Sequence, residues 1–253
     1  MDKIYRKHDP EIDSQADLFY HYLNYQVLDG ESRDLLRIIS NQTKVYIFSG
    51  IIRNFLTNHT HNIRDIDIVV QDFDNIKLKF KYWRKLFVER NSFGGYKITF
   101  NNLKIDVWSI KQTWGIRKKG VDAIPEELIK TAFFNFSGIV YDYNKRVFIY
   151  GSPFIEFYHT RIMDVVFWLN PNPTLCVLNT IYYATKYGYP LKYNLCVWLA
   201  NHYSSDMDFD SVSIHHFGHI LFDKHLIYKI IQDIKDSLPI MSNHRNSKYI
   251  IYL

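Results

Sequence analysis

The chain has 253 residues, of which 47% are hydrophobic, 17% aromatic and 23% charged, and its formal net charge is +5. Such a composition excludes a disordered, collagen-like or low-complexity protein, because the apolar content suffices to bury a core. No apolar run approaches the roughly 18 residues that a spanning helix needs, and Met1-Asp2-Lys3 opens no hydrophobic leader, so a soluble, cytoplasmic protein with no membrane partner is expected.

In chain order, the first thirty residues are acidic and polar and announce no element. Residues 31–40 read as a helix with Leu35, Leu36, Ile38 and Ile39 on its apolar side, and Lys44-Val45-Tyr46-Ile47-Phe48 as a buried strand stopped by Ser49-Gly50. A short helix over 51–56 and a polar loop containing His59, Thr60, His61 and Asn62 lead into an alternating strand over 63–70. Residues 75–88 read as a helix bearing Lys77, Lys79, Lys81, Arg84 and Lys85. Gly94-Gly95 marks a turn, after which 96–100 and 104–110 pair as a hairpin through Asn101-Asn102. A helix over 125–132 precedes a second hairpin, 139–143 with 146–150. Beyond Gly151 the strand signal fades, and Pro171 and Pro173 stand ahead of a long apolar helix over 174–187 that Gly188 closes. The order predicts an α+β fold, with a mixed-sheet head flanked by helices in 1–155 and an all-helical domain in 156–253.

Charge is concentrated in the middle of the chain. Residues 71–120 hold 12 Lys/Arg against 4 Asp/Glu, while both flanking parts are slightly acidic. A local surplus suits an anionic partner such as nucleic acid or a triphosphate, or else a solvated basic helix. Cys176 and Cys196 lie in apolar surroundings and read as reduced core residues. His59 and His61 read as a solvated loop, and His215, His216 and His219, placed on a C-terminal helix, as structural or exposed. Tyr182, Tyr183, Tyr187 and Tyr189 at helical spacing suit either a core stripe or a surface on which bases stack.

The chemistry is concentrated in Arg64-Asp65-Ile66-Asp67-Ile68-Val69-Val70. On a strand, residues two apart share a face, so Asp65 and Asp67 project together while Ile66 and Ile68 enter the core. Two carboxylates held side by side repel unless a cation intervenes, and an oxygen-only ligand set favours magnesium. A third carboxylate sits between apolar neighbours in Ile105-Asp106-Val107, and joins the others if the two strands are adjacent. Lys111, Arg117, Lys118 and Lys119 follow that strand as candidates for phosphate contact. Ser49-Gly50, between a strand and a helix, has the backbone setting in which free N–H groups cradle a phosphate.

Strand, Ser-Gly, helix, Asp-x-Asp and a later apolar-Asp-apolar together resemble the nucleotidyltransferase superfamily of the DNA polymerase β type. Ser49-Gly50-Ile51-Ile52-Arg53-Asn54-Phe55-Leu56 resembles the Gly-Gly-x-Val-Arg-Asp-x-Leu motif of bacterial-type tRNA CCA-adding enzymes and poly(A) polymerases. Phe136-Ser137-Gly138-Ile139-Val140-Tyr141-Asp142 is similar to a later segment of that head domain, and 178–189 to its neck helix. The resemblance implies a head and a neck, two Mg2+ ions on Asp65, Asp67 and Asp106, an NTP whose triphosphate is held by Ser49, Gly50 and Arg53, and an RNA 3′ end as acceptor. Ser49, Asn54 and Ser137 depart from the family's glycine, aspartate and asparagine, Thr131 and Ala132 replace its paired arginines, and no base-reading motif follows. The catalytic elements are thus expected to persist without the nucleotide-selecting ones, and 253 residues leave no room for a tRNA-measuring tail. A protein or small-molecule acceptor, and a nucleotide- or RNA-binding module without turnover, remain as alternatives.

Overall fold

The computed structural model describes residues 8–60, 63, 65–76, 87–91, 94–100, 103–243 and 250–253. The expected basic side chains Lys77, Lys79, Lys81, Arg84 and Lys85, together with His61, Asn62, Arg64 and Asn101-Asn102, lie outside them. Two compact units divide the chain, one of Met1–Ala132 with Phe136–Tyr158 and the other of Phe133–Asn135 with His159–Leu253.

The first unit begins with three helices, α1 (Pro10–Ser14), α2 (Ala16–Tyr22) and α3 (Gly30–Ser40), with a π-helical turn, Leu23–Val27, before α3. Asp9 and Asp29 cap α1 and α3 by accepting backbone N–H bonds, which explains two of the acidic residues in an otherwise unreadable stretch. Strand β1 (Val45–Phe48) and helix α4 (Gly50–Leu56) follow, then β2 (Asp65–Val70), β3 (Phe87–Arg90), β4 (Tyr96–Phe100) and β5 (Leu103–Ser109). Short helices α5 (Trp114–Lys119) and α6 (Pro125–Leu128) precede the hairpin β6 (Ile139–Asp142) and β7 (Val147–Tyr150), and α7 runs Ser152–Thr160. The seven strands form one sheet in the order β3-β4-β5-β2-β1-β6-β7, in which only β2 and β5 run parallel.

The period-two pattern sets the faces of this sheet. Tyr46, Val69, Trp108 and Val140 build one side of the core with Ile116 of α5 and Leu128 of α6. Ile47, Ile66, Ile68 and Ile105 are buried on the other, where Phe19 of α2 meets Tyr141 at 4.9 Å and Phe55 of α4 at 5.3 Å. Gly95 is obligatory at the head of β4, because a Cβ there would lie 1.9 Å from the Val107 carbonyl oxygen. Two expectations are corrected. Phe87 and Val88 belong to a strand rather than to a helix, since Val88 pairs with Ile98 at the sheet edge, and the polar N-terminal stretch folds into helices that bury Ile12, Phe19 and Leu23.

The second unit is mainly helical. Helix α8 (Pro173–Tyr187) is capped by Asn172, whose side chain accepts from the Leu175 N–H, and closed by Gly188 at φ 66°. It is followed by α9 (Tyr193–His202), α10 (Phe209–Phe217) and α11 (Lys224–Asn243). Trp198 is its largest fully buried side chain, and Ile227, Ile231 and Ile234 present one buried stripe of α11. Cys176 and Cys196 are buried free thiols, and Cys196 is pushed up to about 12 by burial. A two-stranded ladder, β8 (Leu191–Lys192) with β9 (Ile250–Ile251), appears where no strand was expected. His219 lies beyond the Gly218 cap of α10 rather than on the helix. Among the described residues no helix is long and apolar enough to cross a membrane.

Candidate active site

Register explains how the carboxylates meet. Asp67 pairs with Asp106 across the parallel β2–β5 ladder, Phe48 lies opposite Asp67 on β1, and Lys97 lies opposite Asp106 on β4. Neighbouring strands stand about 4.8 Å apart and paired residues share a face, so Lys97, Asp106 and Asp67 form a row across the sheet. Asp65, two residues earlier, lies on the same face beside Lys104, its partner on β5. Ile66 and Ile68, on the opposite face, are almost wholly buried.

The electrostatics record the crowding. The Asp67 carboxyl is raised to about 7, first by burial and then by the Asp106 and Asp65 carboxylates, against a smaller opposing pull from Lys97. Asp106 is also raised, its burial outweighing Lys97 and the Asn91 amide. Lys97 Nζ lies 3.7 Å from Asp106 Oδ2, and Asn91 Nδ2 donates to Asp106 Oδ1 at 3.4 Å. Hard oxygen donors with surplus negative charge suit Mg2+ in their chemistry. Yet among the described residues no group of three or more His, Cys, Asp or Glu side chains is arranged to hold a metal ion, and Asp106 is engaged by Lys97 and Asn91 instead.

Ser49 joins β1 to α4 at φ 50°, ψ −93°, its N–H donating to the Ile139 carbonyl at 3.0 Å and its carbonyl accepting from Arg53 N. A positive φ is a glycine conformation, costly for a side chain and found chiefly at functional turns. Arg53 is 6% exposed. Its Nε and Nη2 donate to Asn54 Oδ1 at 3.1 and 2.8 Å, and its guanidinium lies 5.1 Å from the Phe136 ring centre. Asn54 thus holds Arg53 with a neutral acceptor.

The basic candidates fall elsewhere. Lys111 stands in a short 3-10 turn just after Ser109. Asp106 and Ser109 are three strand residues apart, about 10 Å. Lys111 and Arg117 line a pocket of about 530 Å3 with Ser109, Gln112, Asp72 and Asp74 at that far end of β2 and β5. Lys119 pairs with Glu127 at 3.5 Å, and Lys118 is exposed on α5. His59 contacts Thr57 Oγ1 through Nδ1 at 2.9 Å. Tyr183, Tyr187 and Tyr189 stack in sequence at 5.8 and 5.3 Å, with Tyr189 buried and the others partly so.

Lys97 was not anticipated among the site residues. The signal lay in the strand pairing itself, because the register that sets Phe100 against Leu103 sets Lys97 against Asp106.

No family model matches the sequence, and none of the curated proteins does. Solved structures do share the fold. The chain is 15% identical to the Thermotoga maritima CCA-adding enzyme complexed with tRNA, with a TM-score of 0.58 over 85% of this chain and 54% of that one. A tRNA nucleotidyltransferase complexed with a primer tRNA and an incoming ATP analog is 14% identical, with a TM-score of 0.56 over 78% and 59%. A CCA-adding enzyme with CTP is 16% identical, with a TM-score of 0.53 over 79% and 46%. The chain spans about half the length of these proteins. The architecture, a mixed seven-stranded sheet with flanking helices and a helical unit after it, is that of the head and neck of CCA-adding enzymes.

Proposed function

We propose that this chain is a metal-dependent nucleotidyltransferase that moves a nucleoside monophosphate from an NTP to an acceptor hydroxyl, and that the acceptor is the 3′ end of a tRNA-like RNA. The observation that carries this reading is the register of Asp67 with Asp106, beside Asp65, in a fold shared with proteins solved with CTP, an ATP analog or tRNA. Asp65 and Asp67 would hold two Mg2+ ions, with Asp106 as the third ligand once released from Lys97. Bound there, the ions supply Lewis acidity that eases deprotonation of the acceptor hydroxyl and neutralises charge on the departing pyrophosphate.

The chain's own residues then bind and orient. The Gly50 amide and Arg53 hold the outer phosphates, for which the Arg53 guanidinium must turn away from Asn54, while the Ser49 N–H, expected to be free, stays with the Ile139 carbonyl. Lys97 is the counter-charge of the free site, and its move off Asp106 would leave it able to meet a phosphate oxygen. Lys111, Arg117, Lys118 and Lys119 meet backbone phosphates of the acceptor farther from the reacting atoms.

Incubation with each labelled NTP, magnesium and total RNA tests the reading, with Asp65→Ala plus Asp67→Ala expected to lower transfer by about a thousandfold or more. Transfer that survives that double substitution, or none to any acceptor, overturns it. The engagement of Asp106 by Lys97 and of Arg53 by Asn54 favours one second reading, nucleotide binding without turnover. NTP affinity indifferent to magnesium would decide for it.

A further inference from the structure

A second charged centre lies at the other end of the same sheet. Where β1 begins, Val45 N donates to Asn144 Oδ1 and Tyr143 N donates to the Val45 carbonyl, which ties the β6–β7 turn to that end. Between this turn, α3 and the end of α2 lies a pocket of about 310 Å3 lined by Arg33, Arg37 and Arg146, with Tyr20, Tyr25 and Tyr143. Its lining contains three arginines and no carboxylate. That separates it from the larger pocket beside Lys111 and Arg117, where Asp72 and Asp74 offset the cations.

Arg33 and Arg146 are held in a way that leaves donors open, whereas Arg37 gives one Nη2 donor to Asp34 Oδ1 at 3.0 Å and turns its others to the pocket only by leaving that exposed pair. The Arg146 guanidinium lies 3.9 Å from the Tyr20 ring centre and that of Arg33 lies 5.0 Å from Tyr25. A guanidinium stacked on a ring keeps its N–H donors in its own plane, available to oxygen acceptors. Among the described residues no carboxylate pairs with Arg33 or Arg146, and Arg33 Nε is the one buried side-chain polar atom without a hydrogen-bond partner. A buried donor left unmade is costly and calls for a missing acceptor. Arg146 further adopts φ 56°, a turn conformation that glycine or asparagine would take more easily. The Tyr143 hydroxyl, held by donation to Asn24 Oδ1 at 2.9 Å, adds a polar wall.

We infer that this pocket is a binding site for a phosphate group, carried by a nucleotide or by RNA, with Arg33, Arg37 and Arg146 as its ligands. Three guanidiniums from two elements suit the several oxygens of a tetrahedral phosphate better than the two coplanar oxygens of a carboxylate. The inference stands apart from the transferase reading, since none of these residues lies at the carboxylate end.

Calorimetric titration of the full chain in EDTA with inorganic phosphate, ATP and a short 5′-phosphorylated oligoribonucleotide tests it. Arg146→Gly keeps the turn conformation and Arg33→Gln keeps much of the side-chain volume. Each is expected to weaken binding of at least one probe about tenfold or more, with the melting temperature close to that of the native chain, while Lys229→Gln, at an exposed position of α11, leaves this binding unchanged. Loss confined to the oligoribonucleotide identifies RNA as the phosphate source, and loss shared by ATP and phosphate identifies a free nucleotide. Unchanged binding of all three probes in both arginine variants, or binding weakened as much in Lys229→Gln as in Arg146→Gly, overturns the inference. Either result leaves the transfer assay free to stand or fall by itself.

Discussion

The two ends of the central sheet carry opposite charge problems. Near the start of β2, Asp65, Asp67 and Asp106 crowd on one face, and the Lys97 ammonium lies 3.7 Å from Asp106. Near the start of β1, three arginines line a pocket with no acid among its walls, and only Arg37 reaches a carboxylate, that of Asp34 at 3.0 Å. Both ends also hold a non-glycine residue at positive φ, Ser49 at 50° and Arg146 at 56°. A sheet optimised for stability alone would have paired these charges and used glycine at these turns. The lesson is that each end is left poorly compensated in the direction of a ligand, a cation at one and an anion at the other.

The sharpest way to break the comparison is to remove the acidic crowding. Asp67 has a folded-state value near 7 against the usual 3.8, so the unfolded chain releases this proton first as pH rises. Stability from this group is therefore greatest below about pH 4, is lost as pH rises to about 7, and is level above that. Asp67→Asn in metal-free buffer should raise unfolding free energy at pH 8 by on the order of 3 kcal/mol and leave it unchanged near pH 3, as denaturant titrations at the two pH values would read. A variant no more stable than the native chain at pH 8 would show that the carboxylates are not in conflict. The same substitution should abolish stabilisation by added magnesium.

Next in size is the backbone approach beneath Asp106. Gly95 cannot accept a Cβ without displacing the Val107 carbonyl, and Asn91 reaches Asp106 while its own Oδ1 accepts the Gly95 N–H at 2.8 Å. Gly95→Ala should cost about 2 kcal/mol in chemical denaturation. It should also lower transfer activity, because the Asn91 support of Asp106 shifts with it. No comparable close approach underlies the arginine end, where Arg146→Gly is expected to change stability by less than about 0.5 kcal/mol, relief of the turn offsetting loss of the Tyr20 contact.

Ser49 gives a smaller effect at the acidic end. Ser49→Gly should stabilise by about 1 kcal/mol, read as a raised melting temperature, since only the left-handed backbone conformation is relieved.

Much of the acidic end was legible because its signals are local. Alternation over Asp65–Val70, the Ser49-Gly50 break and Ile105-Asp106-Val107 each need a window of a few residues. The parallel pairing of β2 with β5, which brings Asp67 to Asp106, spans a chain distance that no local pattern records. The arginine pocket was illegible for the same reason. Arg33 and Arg146 are remote in sequence, and the helices beside them are short, interrupted by a π-helical turn that shifts the phase of Phe19, Tyr22 and Leu23 away from a clean helical period. β3 is not legible because its four residues, Phe87–Arg90, carry too little alternation to outweigh the helix-like sequence before them.

The smallest expected effect tests whether Lys97 is the counter-charge that makes the acidic end tolerable. Its ammonium opposes the upward shift of both Asp67 and Asp106, so Lys97→Met should raise both further and move the loss of stability to higher pH. With the carboxyls protonated longer, the variant gains nothing at pH 3 and loses the ammonium–carboxylate attraction at pH 8, where both carboxylates must ionise unaided. The Lys97 side chain is 41% exposed, so water screens the pair and the expected loss at pH 8 is only about 0.5 kcal/mol. Thermal melts at pH 3 and pH 8 in EDTA read the difference. A variant equally stable at both would mean that Lys97 merely lies near Asp106. If magnesium then stabilises Lys97→Met more than the native chain, the ammonium and the cation compete for the same carboxylate, the behaviour expected of a residue that holds Asp106 until metal arrives.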